Sequence, residues 1–174
     1  HNVFGSSEKY GSFTSIGDLK IRFLNHDSKP QKYHRELNLA HSKGLVEYDI
    51  DGTSYKREYF CSYPDKVLAI RLTSTNNAGI SLDLFTEGIL QDSSSVDIDN
   101  NIYTLKGFIN GNNRPFVVMI AARNEGGTIG QEGEEITIRE AKTVELYLTI
   151  TTNYAMKYPD YIGEDPEITC KYVL

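Results

Sequence analysis

Residues 46–60 read VEYDIDGTSYKREYF, and this stretch decides the fold class because it encodes a β-hairpin residue by residue. Asp51-Gly52 is a strong signal for a two-residue type I′ turn, since both central positions of that turn need a positive φ. The register that follows consists of three cross-strand pairs: Ile50–Thr53, Tyr48–Tyr55 and Glu47–Lys56. The register places an aromatic pair on one face and an opposite-charge pair on the other, and such pairs stabilise antiparallel strands.

Strand patterns recur at short intervals on both sides of this hairpin. Apolar and polar residues alternate in four further stretches, residues 18–23, 68–72, 80–84 and 144–151, each of which predicts a strand with one wet and one buried face. Residues 116–122 are apolar at both parities and predict a central strand covered on both faces. Turn formers separate the strands, at Asn76-Asn77, at residues 110–113, at Gly126-Gly127 and between Gly130 and Gly133.

About ten candidate strands joined by short turns favour an all-β fold, an antiparallel β-sandwich with little helix. No linker divides the chain, so residues 1–174 are predicted to form a single domain. The strand pattern ends in residues 158–174, which resemble an exit segment. A short helix is predicted to begin at Pro166, with Asp165 as its N-cap.

Composition excludes two classes of partner. The 174 residues carry a net charge of −6 and no basic run, which argues against a nucleic-acid partner, because phosphates need a basic footprint. The longest apolar run, Phe116 to Ala122, is far shorter than the roughly 20 residues that span a bilayer. No membrane insertion is therefore predicted.

The two cysteines, Cys61 and Cys170, lie far apart in sequence; two are too few for a disulfide framework, and neither is in a CxxC pair. They are either one bridge or two small buried side chains, and the buried-thiol interpretation is favoured because free cysteines are usually buried. The chain begins with His1 and lacks a charged and then apolar leader, so we expect that a leader was removed or that the chain is a piece of something longer.

Glu36 and Glu58 are the carboxylates weighed for catalysis, because glycoside hydrolysis needs two carboxyl groups across a sugar bond. We favour the alternative that both sit in strands beside arginine and form cross-strand ion pairs. Glu134-Glu135 adjoins a glycine-rich turn, and adjacent strand residues point to opposite faces, so this pair is not predicted to converge on one substrate.

Other side chains that carry chemistry receive structural interpretations. The four histidines, His1, His26, His34 and His41, lack the spacing of a metal site. Cys61 lies in a strand pattern with no electropositive helix terminus beside it. Tyrosine is frequent and tryptophan absent, and three tyrosines could stack on sugar rings: Tyr10, Tyr158 and Tyr161. The sequence thus assigns no catalytic residue, no cofactor and no metal ligand.

Several short sequence motifs say more about the family of this chain than its composition does. Residues 16–21 (IGDLKI) resemble the "LGDL" strand of the N-terminal β-sandwich domain of family 95 glycoside hydrolases, the α-L-fucosidase type, and residues 33–39 (YHRELNL) are similar to its "YRRELDL" phrase. The hairpin at residues 46–60, residues 62–68 (SYPDKVL) and residues 151–154 (TTNY) also resemble phrases of that domain, in the same order. One departure is Asn38, which stands where the family prefers Asp.

The resemblance implies a sandwich of the supersandwich type that is not catalytic by itself. The family's catalytic residues lie in a downstream (α/α)₆ barrel, so none is carried over to this chain, and that barrel is the expected partner. The resemblance also implies a piece truncated at both ends, from a parent that removes terminal α-L-fucose with inversion in the periplasm or outside a bacterial cell. It predicts a surface patch complementary to the absent barrel.

The sequence is compatible with two other functions. A stand-alone carbohydrate-binding sandwich would take glycans as its partners, and the tyrosine content and the absence of a catalytic set favour it. A complete small enzyme using Glu36 or Glu58 is the third hypothesis.

Overall fold

The computed structural model of the protein describes residues 15–24, 26–75, 79–88, 90–110 and 112–174. Within these ranges the chain forms twelve strands and one short helix. In chain order they are β1 (Asp18–Phe23), β2 (Gln31–Asn38), β3 (Lys43–Ile50), β4 (Thr53–Ser62), β5 (Val67–Ser74), β6 (Ile80–Glu87), β7 (Gln91–Asp97), β8 (Ile102–Ile109), β9 (Arg114–Glu125), β10 (Thr128–Glu132), β11 (Glu135–Ala141), β12 (Thr143–Thr152) and α1 (Pro166–Val173).

The strands form two antiparallel sheets that pack face to face. The small sheet has the order β1-β6-β11-β10, and the large sheet has the order β2-β3-β4-β5-β12-β9-β8-β7. The core lies between them and is built from the alternating residues of both sheets. The predicted antiparallel sandwich is confirmed, with two strands more than the roughly ten that turn signals suggested. No helix in the described part of the chain has the length and apolar character that crossing a membrane requires.

The hairpin β3-β4 has the predicted register. Asp51 and Gly52 have φ values of 49° and 79°, as a type I′ turn requires. All three predicted pairs occur, and the rings of Tyr48 and Tyr55 stack with centroids 5.5 Å apart. Lys56 lies opposite Glu47 but also approaches Glu58 of its own strand at 3.3 Å.

The large sheet has an inner face, which meets the small sheet, and an outer face on the opposite side. Strand β9 is buried on both, as predicted for residues 116–122: Phe116 and Ile120 point into the core, while Val117 and Met119 lie beneath α1 on the outer face. The helix therefore covers the outer face of the large sheet at β9.

Helix α1 begins where the sequence predicted. The Asp165 side chain accepts a hydrogen bond from the Glu167 backbone N–H at 2.7 Å, which is an N-cap, and Pro166 opens the helix. Hydrogen bonds from Lys106 of β8 and from Lys171 hold the pKa of the Glu167 carboxyl down to about 2. The helix is thus fixed to the outer face by a charged contact at its first turn.

Two expectations are wrong. Strand β6 is predicted to have one wet face, but Ser81 and Asp83 are buried as well as the leucines. Arg22 of β1 and Arg139 of β11 cover Asp83, and the β11 backbone at Glu140 covers Ser81. Both cysteines were expected to be buried, but only Cys170 is, and burial raises the pKa of its thiol to about 11. Cys61 is exposed because it lies at the end of β4; both thiols are free.

The predicted turns fall between strands where the structure describes them. Gly126-Gly127 joins β9 to β10, whereas in residues 130–133 only Gly133 has the positive φ of a turn, because Gly130 is part of β10. Asn76-Asn77 lies outside the described residues, as does Gly111 in the connection at 110–113.

Replacing Gly127 by Ala is expected to lower the free energy of unfolding by about 3 kcal/mol. Gly127 has a φ of 64°, which costs an L-residue roughly 1–2 kcal/mol. A Cβ atom there would also lie 2.0 Å from the Arg139 carbonyl oxygen, so the backbone must shift, which adds about 1–3 kcal/mol. Urea unfolding measures the loss. Gly133→Ala is the control, because Gly133 has a similar φ of 59° and open space around it, and it is expected to cost only about 1 kcal/mol. Equal losses would contradict the steric argument.

An aromatic cluster at the edge of the core surrounds His26. The His26 ring lies 4.4 Å from both Phe23 and Tyr55, and its Nε2 is 2.8 Å from the Tyr48 hydroxyl. Arg57 donates to that hydroxyl and lies over the Phe23 ring, so the hydroxyl proton is free to go to His26. Burial, and then the positive charge of Arg57, lower the pKa of His26. His26 in the folded chain therefore binds a proton less readily than an unburied histidine does.

Stability is expected to fall as the pH drops below about 6.5, the ordinary pKa of histidine, because the unfolded chain then binds a proton that folded His26 refuses. The loss continues until the pH passes the lowered pKa of the folded state. The difference in unfolding free energy between the wild type and His26→Phe isolates this contribution, measured by urea unfolding from pH 8 to pH 5. A difference that stays constant over this range would show that His26 titrates normally in the folded chain.

Candidate functional site

The two candidate catalytic carboxylates, Glu36 and Glu58, lie on the same face of the large sheet but are not close together. Glu36 on β2 and Glu58 on β4 both align with Leu45 of the intervening β3, so two strand spacings, roughly 10 Å, separate their backbones. Glu58 accepts a hydrogen bond from Lys43 at 2.7 Å, which, with Lys56, lowers its pKa. The cross-strand ion pair predicted for Glu58 is confirmed, with lysine in place of arginine. A lowered pKa is the opposite of what a general acid needs.

Glu36 does not form the predicted cross-strand pair. It lies 3.5 Å from His34 on its own strand and accepts a hydrogen bond from Asn38. His41 uses its backbone N–H to bond the Asn38 side chain in the β2-β3 connection. Among the described residues, no three side chains of the His, Cys, Asp and Glu types lie together as metal ligands would. His1 lies outside those residues.

One end of the inner face of the large sheet carries an apolar surface, here called the apolar end: Cys61, Leu68, Leu148, Ile150 and Tyr63. Leu68 and Leu148 are paired in register on β5 and β12. With their neighbours they line an open cleft of about 540 Å³. Ile150 is 48% exposed and Tyr63, at the rim, is 94% exposed.

The apolar end continues beneath β1. A second opening of about 150 Å³ lies between the sheets and shares Leu148 and Ile150 with the first. Its other walls include Ile16 just before β1, Leu19 of β1 and Leu105 of β8. The two openings therefore form one continuous apolar surface.

The loop after β12 presents the tyrosines that the sequence offered as sugar platforms. Tyr161 stacks on Tyr154 with centroids 6.2 Å apart, and Tyr158 meets Tyr161 edge-on. Tyr158 is 86% exposed. Arg114 lies buried beneath and donates to the Asn153 side chain and to the Asp160 carbonyl, which fixes the loop. Tyr10 lies outside the described residues.

The outer face of the large sheet holds a polar groove, here called the outer groove. Its floor residues are Phe60, Ala69 and Tyr147, and its rim residues are Glu58, Arg71 and Glu145. An opening of about 280 Å³ over these residues adjoins a second of about the same volume toward Arg123, and both share Arg71 and Glu145.

Sequence reasoning missed the outer groove because its residues come from three strands. A usable signal existed in the parity of the strands, since Phe60 is an apolar residue on the polar side of β4. Tyr147 is likewise an aromatic residue on the polar side of β12. The two aromatic residues could have indicated a feature on the outer face, but the sequence does not give the strand order that brings them together.

Comparison with known proteins identifies the domain type. The family described as "Glycosyl hydrolase family 65, N-terminal domain" matches residues 1–157. The chain belongs to this family. It is thus an N-terminal domain of the glycoside hydrolase kind, as the sequence resemblance implied at that level.

Two relatives of this chain are named as fucosidases. The chain is 22% identical over 167 residues to "Alpha-L-fucosidase 2" of Arabidopsis thaliana, covering 80% of the chain and 20% of that protein. It is 28% identical over 107 residues to "Probable alpha-fucosidase A" of Aspergillus oryzae, covering 60% of the chain and 14% of that protein. The chain spans a fifth or less of these relatives.

The fold has a counterpart among solved structures. "Putative kojibiose phosphorylase from human microbiome" superposes with a TM-score of 0.54 at 13% identity, over 91% of this chain and 24% of that one. At this identity the likeness shows the fold of the N-terminal domain and nothing about substrate.

Proposed function

We propose that the chain is the non-catalytic N-terminal β-sandwich domain of a family 95 α-L-fucosidase. Two relatives named as fucosidases support this assignment, and each is several times longer than the matched region. The parent protein then removes terminal α-L-fucose from glycans with inversion, using a general acid and a base-activated water supplied by a downstream (α/α)₆ barrel. We place that parent in the periplasm or outside a bacterial cell.

The observation that carries the structural role is the apolar end. Leu148 and Ile150 stand at the centre of a continuous apolar surface with Tyr63 at its rim. Interfaces between domains of one chain typically bury 600–1,500 Å², and their centres are apolar. We assign the apolar end as the surface that packs against the barrel and so supports the catalytic domain.

The size of the natural gene product is the first test. An antibody raised against residues 15–174 is used to blot cell fractions of the source organism under denaturing conditions. A band several times larger than 19.6 kDa is expected. That product should release fucose from a fucosylated glycan, with β-L-fucose as the first anomer seen by NMR. A band near 19.6 kDa would contradict the assignment and favour the stand-alone carbohydrate-binding alternative.

The docking role makes a separate prediction for Ile150→Asp. In the 174-residue chain we expect a loss of unfolding free energy of about 1–2 kcal/mol, because Ile150 is half buried in β12 and Asp is a poor strand residue. In the longer product, a charge buried at the domain interface should lower the melting temperature by several degrees. Phe108→Asp, at an equally exposed position on the outer face of β8, is the control. Equal effects of both variants in the longer product would argue against docking through the apolar end.

A further inference from the structure

The outer groove has the composition of a sugar-binding site, and nothing in the proposed docking role uses it. Three floor residues lie in one register row across β4, β5 and β12: Phe60 aligns with Ala69, and Ala69 aligns with Tyr147. Strands lie about 4.8 Å apart, so the two aromatic side chains stand roughly 10 Å from each other, with only the Ala69 methyl group between them. The result is a floor with an aromatic side chain at each end and a gap over Ala69.

The next register row supplies hydrogen-bonding groups of alternating charge. Glu58 aligns with Arg71, Arg71 with Glu145, and Glu145 with Arg123. The Tyr147 hydroxyl donates to Glu145 at 2.9 Å, and Arg71 lies 3.6 Å from the same carboxylate. Carboxylates accept and guanidinium groups donate, so each gap along this row offers an acceptor beside a donor. Neighbouring hydroxyl groups of a sugar need this arrangement, because each both donates and accepts.

The charge balance decides what kind of ligand fits. The charged residues that line the two openings are three cations and three anions: Lys43, Arg71, Arg123, Glu58, Glu125 and Glu145. The formal charges of these lining residues cancel. Lys56 and Lys142 lie beside the openings, 3.3 Å from Glu58 and 3.8 Å from Glu125, so the preference for a neutral over an acidic sugar is a point that the glucuronic acid probe tests directly. An apolar ligand would strip water from these charges without replacing their hydrogen bonds. A neutral polyhydroxylated ring satisfies them and also places its C–H faces against Phe60 and Tyr147.

The rest of the outer face limits where a ligand can lie. Helix α1 covers Val117 and Met119 of β9, and Lys106 of β8 bonds Glu167 in that helix. The ion pair of Lys43 with Glu58 closes the groove on the β3 side. Arg123 already lies over one face of the Tyr147 ring, with its guanidinium carbon 5.4 Å from the ring centroid, so a ligand has only the other face. What stays open is the row from Phe60 to that face of Tyr147 and the charged row beside it, about 280 Å³ for each opening, near the lower limit for small-molecule sites.

From this geometry we propose that the outer groove binds a neutral pyranoside, held between Phe60 and Tyr147 and hydrogen-bonded by Arg71 and Glu145. Tyr147 and Arg71 position the Glu145 carboxylate as an acceptor, and Ala69 leaves the space in which the ring sits. The site binds glycan without cleaving it. The proposal rests on the groove alone and does not depend on the fucosidase assignment.

Titration of the 15N-labelled chain with sugars, followed by amide NMR spectra, tests the proposal. The probes are methyl α-L-fucopyranoside, methyl β-D-galactopyranoside, lactose and glucuronic acid, each up to 50 mM. We expect saturating shifts for at least one neutral probe, in residues 58–60, 69–71 and 145–147, with a Kd on the order of 1–10 mM, which is usual for a ligand of this size in a shallow site. No shift with any neutral probe, shifts confined to other residues, or tighter binding of glucuronic acid would overturn the proposal.

Matched variants separate the groove from a general surface effect. Phe60→Ala is expected to weaken binding by about tenfold, and Ala69→Leu, which fills the gap, should abolish it. Phe108→Ala is the control, because Phe108 is 46% exposed on β8 of the same face whereas Phe60 is 48% exposed in the groove. The control should leave the Kd unchanged, and the amide spectra show whether each variant is folded. Equal weakening by Phe108→Ala and Phe60→Ala would refute the site. A small natural gene product would end the fucosidase proposal but leave this result standing.

Discussion

Replacing Phe116 by Ala is expected to lower the free energy of unfolding by about 4 kcal/mol, within the 3–5 kcal/mol typical of deleting a buried phenylalanine. Phe116 has no exposed surface. Its ring lies over Gly107 of the adjacent β8, where a Cβ atom would meet that ring at 2.7 Å and the Leu90 carbonyl oxygen at 2.0 Å. Because Gly107 has no side chain, the residue paired with Phe116 offers no atoms to fill the cavity.

Calorimetry measures this loss as a lower melting temperature, by about 8–16 °C for a chain of this length. Phe108→Ala is the matched control. Phe108 follows Gly107 on β8 but points to the outer face and is half exposed, so its removal is expected to change the free energy of unfolding by about 0.5 kcal/mol or less. Similar losses from the two variants would mean that Phe116 does not contribute to the core as its burial indicates.

Much of this fold could be predicted because its local signals agree with one another. Asp51-Gly52 specified a turn with two positive φ values, and the residues around it already paired aromatic with aromatic in the register that this turn imposes. The run from Phe116 to Ala122 predicted a strand covered on both faces, and the core and α1 cover it. The N-cap at Asp165 depends only on residues next to it in sequence and could be predicted for the same reason.

Features that depend on strand order were beyond the sequence. Asp83 alternates with leucines in β6, so its parity predicts a wet face, yet it is buried because arginines from two neighbouring strands cover it. The alternation along β4 correctly places Cys61 on the inner face, but the small sheet does not cover the end of β4, so Cys61 is exposed. The outer groove likewise exists only because β12 lies beside β5, a neighbour from far along the chain. Periodicity gives the face of a residue, whereas burial also depends on what packs over that face.

Asp83→Asn is expected to lower the free energy of unfolding by about 2–3 kcal/mol. Asp83 is 5% exposed at the centre of the small sheet. Arg22 of β1 lies 2.9 Å from one of its oxygens and Arg139 of β11 lies 2.8 Å from the other, so one carboxylate joins three strands. Removing one partner of a buried pair costs about 3–5 kcal/mol, and the loss is smaller here because the arginine side chains are 52% and 35% exposed and can turn toward water.

An exposed ion pair on the same sheet provides the control for Asp83. Lys20 contacts Asp18 and Glu87 at the surface, so Lys20→Ala is expected to cost less than about 1 kcal/mol in the same urea unfolding experiment. The source of the Asp83 loss is then tested by a double-mutant cycle with Arg22→Ala. Asp83 and Arg22 are paired in register, so the two losses should fall short of additivity by about 1–2 kcal/mol. Additive losses would show that Asp83 stabilises the sheet through packing or through Arg139 alone, and that β1 is held to β6 by its backbone hydrogen bonds rather than by this ion pair.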